Sequence, residues 1–159
     1  MNIRKFNEED IIPVIDLFYD TVHAINKFDY SQKQLVAWAN PLEREQRHVE
    51  WLKTLCSHYT LVAEHHKQII GFIDLTTNGV LDRLYVHKNF QRQKVASSLF
   101  EEVVKHANRL GLHRIMTEAS ITAKPFFEKQ GFQQVKEQEI EKSGIIMNNY
   151  LMVLDITNS

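Results

Sequence analysis

"FQRQKVASSLFEEV" (residues 90–103) begins as a polar, basic loop and ends as an amphipathic helix. Arg92 and Lys94 stand where that helix should begin. The helix macrodipole already puts positive potential at that end, so two cations there carry the wrong sign. The same end presents unpaired N–H groups, and a bound polyphosphate would reverse the sign of the whole site. The competing reading is a solvated, mildly frustrated helix start with no ligand. The stretch is neither a G-x-G-x-x-G dinucleotide fingerprint nor a G-K-[ST] phosphate loop.

Working outward, Ala96, Leu99, Phe100, Val103, Val104 and Ala107 recur at helical spacing and predict a buried stripe, with Gly111 ending the helix. Upstream the period changes. "YTLVAEH" and "QIIGFIDL" flank the polar "HHK", and "VLDRLYVH" follows Asn78-Gly79, which predicts a three-stranded antiparallel meander. Nearer the N-terminus, "IRKF" reads as a short strand. Asp10 then caps a helix over 11–27, Ser31 opens a second one that stops near Pro41, and a third spans 42–56 with Val49, Leu52 and Leu55 inward. Downstream, "RIMTEA" is a strand, Thr122 caps a short helix closed by Gly131, and "FQQVKEQEI" and "IMNNYLMVLDI" are two final strands. With no repeat, linker or low-complexity segment, the expectation is one α/β domain over 1–159.

The 159 residues are 43% hydrophobic and 25% charged, which is ordinary for a globular protein. A net charge of −1 and the lack of a basic run argue against nucleic-acid binding. The single cysteine, Cys56, excludes an intrachain disulfide and suits a reducing compartment. "MNIRKFNEED" lacks the apolar core of a signal peptide, and no apolar run approaches the ~20 residues of a membrane span. The expectation is a cytoplasmic protein that binds neither membrane nor nucleic acid.

The opening stretch resembles the coenzyme A pyrophosphate loop of the GNAT N-acetyltransferases, Q/R-x-x-G-x-G/A after an L-x-V strand end. Here it reads Leu84-Tyr85-Val86, then Gln91-Arg92-Gln93-Lys94-Val95-Ala96. Gln91 and Ala96 match, while Lys94 replaces the first glycine. Lys94 still supplies a backbone N–H if its φ is negative; a turn that requires positive φ would strain it. "SITAKPFFEKQGF" is similar to the GNAT helix-and-turn N-x-x-A-x-x-[FL]-Y-x-x-x-G-F. Ala123, Phe126, Gly131 and Phe132 stand in register, with Ser120 for the usual Asn and Phe127 for the usual Tyr. "SQKQLVAW" adds to the likeness to small bacterial members.

The resemblance implies a mixed, mostly antiparallel α+β sheet of six to seven strands with four to five flanking helices. It implies acetyl-CoA as acyl donor, no metal, and direct attack by an amine in a ternary complex. The cofactor-binding residues it implies are Leu84, Tyr85, Val86, Gln91, Arg92, Gln93, Lys94, Val95, Ala96, Ser97, Ser120, Lys124 and Phe127. The acceptor is expected to be a small-molecule or amino-acid-like amine, and a homodimer is left open. The rival reading is a non-catalytic acyl-CoA sensor, motivated by Lys94 and Phe127.

A lysine-like amine is neutral in only roughly one molecule per few thousand at pH 7, so a base is useful. Asp82, four residues before Val86, is the candidate; the alternative is an exposed or salt-bridged strand carboxylate. Asp74 is a weaker rival. Phe127 cannot serve as the family's tyrosine acid, so Tyr150, or Tyr85, is the replacement considered. His23, Tyr30 and Trp38 fall where the family walls its acceptor pocket, although Trp38 also suits plain core packing. His65-His66 lacks spaced metal-ligand partners.

Overall fold

β3 (Gln68–Leu75) explains the architecture, because it is buried along nearly its whole length. Ile69 and Phe72 join one apolar cluster, whereas Ile70, Ile73 and Leu75 join another on the opposite face. A strand buried on both faces must lie inside a sheet covered by two layers. The computed structural model describes residues 1–157, so the last two residues of the single-domain span lie outside it. Its sheet has seven strands in the order β1-β2-β3-β4-β5-β7-β6. These are β1 (Asn2–Lys5), β2 (Tyr59–His65), β3, β4 (Val80–Val86), β5 (Arg114–Ser120), β6 (Gln133–Lys142) and β7 (Ile145–Asp155). Every neighbouring pair is antiparallel except β4 and β5. Five α-helices flank the sheet among the described residues. The mixed, mostly antiparallel α+β expectation therefore holds.

α1 (Ile11–Ala24), α2 (Gln32–Trp38) and α3 (Arg44–Ser57) cover one face. α4 (Val95–Arg109) and α5 (Lys124–Lys129) cover the other. α4 seats close to the sheet because β3 carries glycine where they meet. A Cβ on Gly71 would lie 2.8 Å from Val95 Cγ1. No helix of the described residues is long and apolar enough to cross a membrane.

Several local expectations need correction. Asp10 does not cap α1. Asn7 caps a preceding 3-10 turn, and Asp10 closes that capping box while binding Arg4 at 2.7 and 2.8 Å. The first helix stops at Ala24, short of 27, and a 3-10 turn follows at Asn26–Phe28. The third starts at Arg44, after a 3-10 turn at Pro41–Glu43. Val49 is 62% exposed, not inward. Trp51 is the buried anchor of α3, and two residues turn a helix by about 200°, which puts Val49 opposite it. Thr122 does not cap the short helix; its hydroxyl donates to Asp29 Oδ2 at 2.8 Å.

Candidate active site

The site begins where the sheet comes apart. β4 and β5 pair only at Val80↔Met116 and Leu81↔Thr117, and beyond that they diverge. The His87 N–H donates to the Ile70 carbonyl at 2.8 Å, continuing the register Phe72↔Tyr85 and Asp74↔Arg83. Antiparallel pairs alternate, so Arg83 and Tyr85 direct their peptide groups to β3. Leu84 and Val86 turn theirs toward the gap. The Val86 carbonyl already accepts from Thr21 Oγ1 at 2.9 Å and Gln91 Nε2 at 2.8 Å.

Beside the gap, β4 carries a bulge. Asp74 opposes Arg83 and Leu75 opposes Leu81, which leaves Asp82 as an extra residue. The slip of one position brings Asp82 and Arg83 to the same face, toward α1 and α3, while Leu81 and Leu84 pack with α4. Arg83 organises this corner. Its guanidinium meets Asp74 Oδ2 at 2.5 Å, Thr54 Oγ1 at 2.9 Å and Asp82 Oδ2 at 3.5 Å, and lies over the Trp51 ring at 4.5 Å. His58 Nδ1 sits 2.8 Å from the same Asp74 oxygen.

Burial pushes the Asp74 carboxyl up, and the opposing pull of Arg83 and His58 does not cancel that rise. Asp74 is fully buried and its Oδ1 has no hydrogen-bond partner, whereas the Asp82 side chain is 44% exposed. Of the two carboxylates, Asp82 is the one a substrate can reach. His58, Asp74 and Asp82 bring ligand atoms within 4.8 Å of one another. The Arg83 guanidinium already supplies the positive charge there that a metal ion would bring.

At the far end of β4 the chain turns into α4. Lys94 precedes the helix in the left-handed region at φ 65°, and Arg92 has φ 59°. The positive-φ alternative for Lys94 is therefore the one realised, at a cost of roughly 1–2 kcal/mol. No side chain caps this helix. The Lys94 carbonyl takes the Ser98 N–H at 3.0 Å, and the Val95, Ala96 and Ser97 N–H groups precede any intrahelical acceptor. Arg92, Gln93 and Lys94 are exposed around that mouth. Gln91 faces back to the strand through its bond to Val86.

The remaining residues singled out from the sequence divide by face. Tyr30, Trp38 and Tyr85 come together above the gap on the α1–α3 side. The Tyr30 and Trp38 rings are 5.2 Å apart, and Tyr85 packs against Phe18 and Phe72. Burial pushes the Tyr85 hydroxyl up to about 12, against the pull of the Trp38 indole. Such a group holds its proton and is poorly suited to shuttle it. Tyr30 donates to the Asn148 carbonyl and accepts from the Ile121 N–H, so it braces the fold. His23 Nε2 lies 2.9 Å from the Ala39 carbonyl and fixes the end of α2.

Tyr150 packs on the opposite face under Lys124, whose Nζ is 4.3 Å from its ring centre. Ser120 Oγ accepts from the Ala123 N–H at 3.0 Å and shapes the turn into α5. Phe127 is buried between Phe126 and Phe132 in the α4-side core. Sequence reasoning missed His58 and Arg83. The β2–β3 register brings His58 to Asp74 beside Asp82, the β4 bulge turns Arg83 to the same face, and no local pattern signals either.

Both the sequence and the fold have known counterparts. Residues 27–154 match the acetyltransferase (GNAT) domain. The uncharacterised N-acetyltransferase YafP of Escherichia coli strain K12 is 33% identical over 152 residues, covering 96% of this chain and 94% of that one. A GCN5-related N-acetyltransferase structure from Rhodopseudomonas palustris superposes with a TM-score of 0.91 at 24% identity, over 98% of this chain and 95% of that one. The PaiA N-acetyltransferase of Thermoplasma acidophilum, in complex with coenzyme A, gives 0.78 at 19% identity, over 97% and 98%. The chain belongs to the GNAT family of acetyltransferases.

Proposed function

We propose that this chain transfers acetyl from acetyl-CoA to a small primary amine by direct attack in a ternary complex. The observation that carries the reading is the gap between β4 and β5, with a bulge carboxylate on one side and an open helix N-terminus at its end. The Leu84 peptide groups and the Val86 N–H pair with the extended pantetheine arm, and an N–H there meets the charge growing on the thioester oxygen. The pyrophosphate sits on the Val95, Ala96 and Ser97 amides, with Arg92, Lys94 and Lys124 adding charge. Asp82 takes the proton from the attacking amine, directly or through water. The sulfur leaves as a thiolate of ordinary pKa near 8.5, which makes little demand on an acid near neutral pH. The aromatic group of Tyr30, Trp38 and Tyr85 walls the acceptor side. The lone Cys56 and the near-neutral charge suit action in the cytoplasm.

Thiol release from acetyl-CoA with a panel of primary amines tests the reading. Asp82→Asn should lower turnover by about 10²–10⁴-fold and leave acetyl-CoA affinity unchanged. Unchanged turnover from about pH 6 to about pH 9 removes Asp82 from the mechanism. The strained Lys94 and the core position of Phe127 favour one second reading, an acyl-CoA-binding module without turnover. Binding of acetyl-CoA with no release on any amine would select it.

A further inference from the structure

In a regular strand, neighbouring residues point to opposite faces. The β4 bulge breaks that alternation and puts Asp82 and Arg83 side by side. Arg83 is then held from three directions. Its Nη1 donates to Asp74 Oδ2 on β3 at 2.5 Å, its Nη2 donates to Thr54 Oγ1 on α3 at 2.9 Å, and its guanidinium lies 4.5 Å from the centre of the Trp51 ring. His58, which ends α3, sits 2.8 Å from the same Asp74 oxygen and braces that anchor in turn. The Arg83 side chain is 12% exposed and the Asp74 side chain not at all.

A guanidinium is a rigid planar fork of N–H donors, so pinning two of its corners fixes the direction of the rest. Asp82 Oδ2 lies 3.5 Å from the Nη2 that donates to Thr54. At that distance the contact is ionic and not a strong hydrogen bond. The charge steadies the carboxylate while its lone pairs stay open to a proton. One cation thus faces two carboxylates. The buried Asp74 takes the short contact and Asp82 the long one, which leaves the unmatched negative charge on the side a substrate can reach. Asp82 directly follows Leu81, the last residue of β4 that pairs with β5, so its carboxylate stands where the strands part.

Resting on the base role proposed for Asp82, we infer that Arg83 is a positioning residue: pinned by Asp74, Thr54 and Trp51, it aims the Asp82 carboxylate at the acceptor side of the β4–β5 gap. In this role Arg83 touches neither the amine nor the thioester. It narrows the Asp82 rotamers, so that the carboxylate waits where the attacking amine gives up its proton. Asp74, too buried to meet a substrate, is the anchor behind it. A lysine at the same place would keep the charge but lose the fork, because a compact ammonium cannot hold Asp74 and Thr54 and still face Asp82 in one fixed geometry.

Thiol release from acetyl-CoA with a primary amine is followed over single turnovers of the full chain at high enzyme concentration. Arg83→Lys should slow acetyl transfer by about tenfold or more and leave acetyl-CoA affinity unchanged in calorimetry. Combined with Asp82→Asn, the same substitution should change the residual rate by less than about twofold, because a residue that acts through Asp82 has nothing left to aim. Thr54→Val removes one anchor and keeps both charges, so it tests the same coupling where the Arg83 variant does not fold. It should slow transfer by about threefold in the otherwise unmodified chain and leave the Asp82→Asn rate as it was. A loss by the same factor with and without the Asp82 carboxylate is a merely structural effect and overturns the inference, as does an Arg83→Lys variant that transfers at the original rate. Unchanged turnover in Asp82→Asn overturns the base assignment and the inference together. Bound acetyl-CoA with no transfer to any amine sinks both and selects the module without turnover.

Discussion

At the 3-10 turn that leads into α1, Asn7 accepts from the Glu9 N–H, Asp10 accepts from the Asn7 N–H, and Glu8, Glu9 and Asp10 set negative charge against the dipole. At the start of α4 there is no side-chain cap, no acidic residue in the first turn, and a lysine in the left-handed region. The first arrangement satisfies itself, and Arg4 ties it to β1. The second leaves amides and positive potential facing outward, beside the gap in the sheet. A helix start can be closed by its own chain or, as proposed for α4, left open to an anion.

The comparison can be broken most severely at Arg4. Its pair with the buried Asp10 is worth less than a fully buried pair because Arg4 is 30% exposed, so Arg4→Ala should cost about 2–3 kcal/mol in urea unfolding. Acetyl-CoA affinity should not move, since α4 lies elsewhere. Closing the open start is the converse. Lys94→Asp tolerates the left-handed region, reverses the charge there, and should weaken acetyl-CoA binding by about tenfold or more in calorimetry while stability holds or rises. Equal affinity would show that the α4 start is no anion seat.

Asn7→Ala should lower stability by about 1 kcal/mol and leave affinity unchanged. Lys94→Gly should raise it by up to about 1 kcal/mol, the relieved strain being partly offset by glycine's larger unfolded-state entropy. A loss of stability would mean that the lysine side chain, not the turn, holds the loop.

The acid limb of stability sharpens the contrast last. Burial raises the Asp10 carboxyl, but Arg4 and the Asn7 N–H together hold it below its usual value. A depressed carboxyl contributes stability that is present above its unfolded pKa, about 3.9, and is lost as pH falls through the lower folded value. Asp74, raised by burial, works in the opposite sense. Urea midpoints measured through the acid range should therefore fall less steeply in Asp10→Asn than in the unmodified chain.

Much of the layout was readable from residues alone because its causes are local. Alternation in "QIIGFIDL", the Asn78-Gly79 turn and the α4 stripe each depend on neighbours within a few positions. The errors fall where a distant partner decides. Asp10 looks like a cap until Arg4 takes it, and Val49 looks inward until Trp51 sets the rotation of α3. Asp82 was a candidate from its place four residues before Val86 and from the family resemblance, but its setting on the face of Arg83 comes from a bulge.

The sequence by itself determined the helices, the meander, the family and the phosphate-loop stretch, because periodicity and turn chemistry act over a single turn or pleat. Only the tertiary structure decided that β4 and β5 part after Leu81, that Asp82 and Arg83 share a face and that Lys94 is left-handed. Those are matters of register and packing between segments far apart in the chain, and a slip of one residue would reverse each of the facing relations.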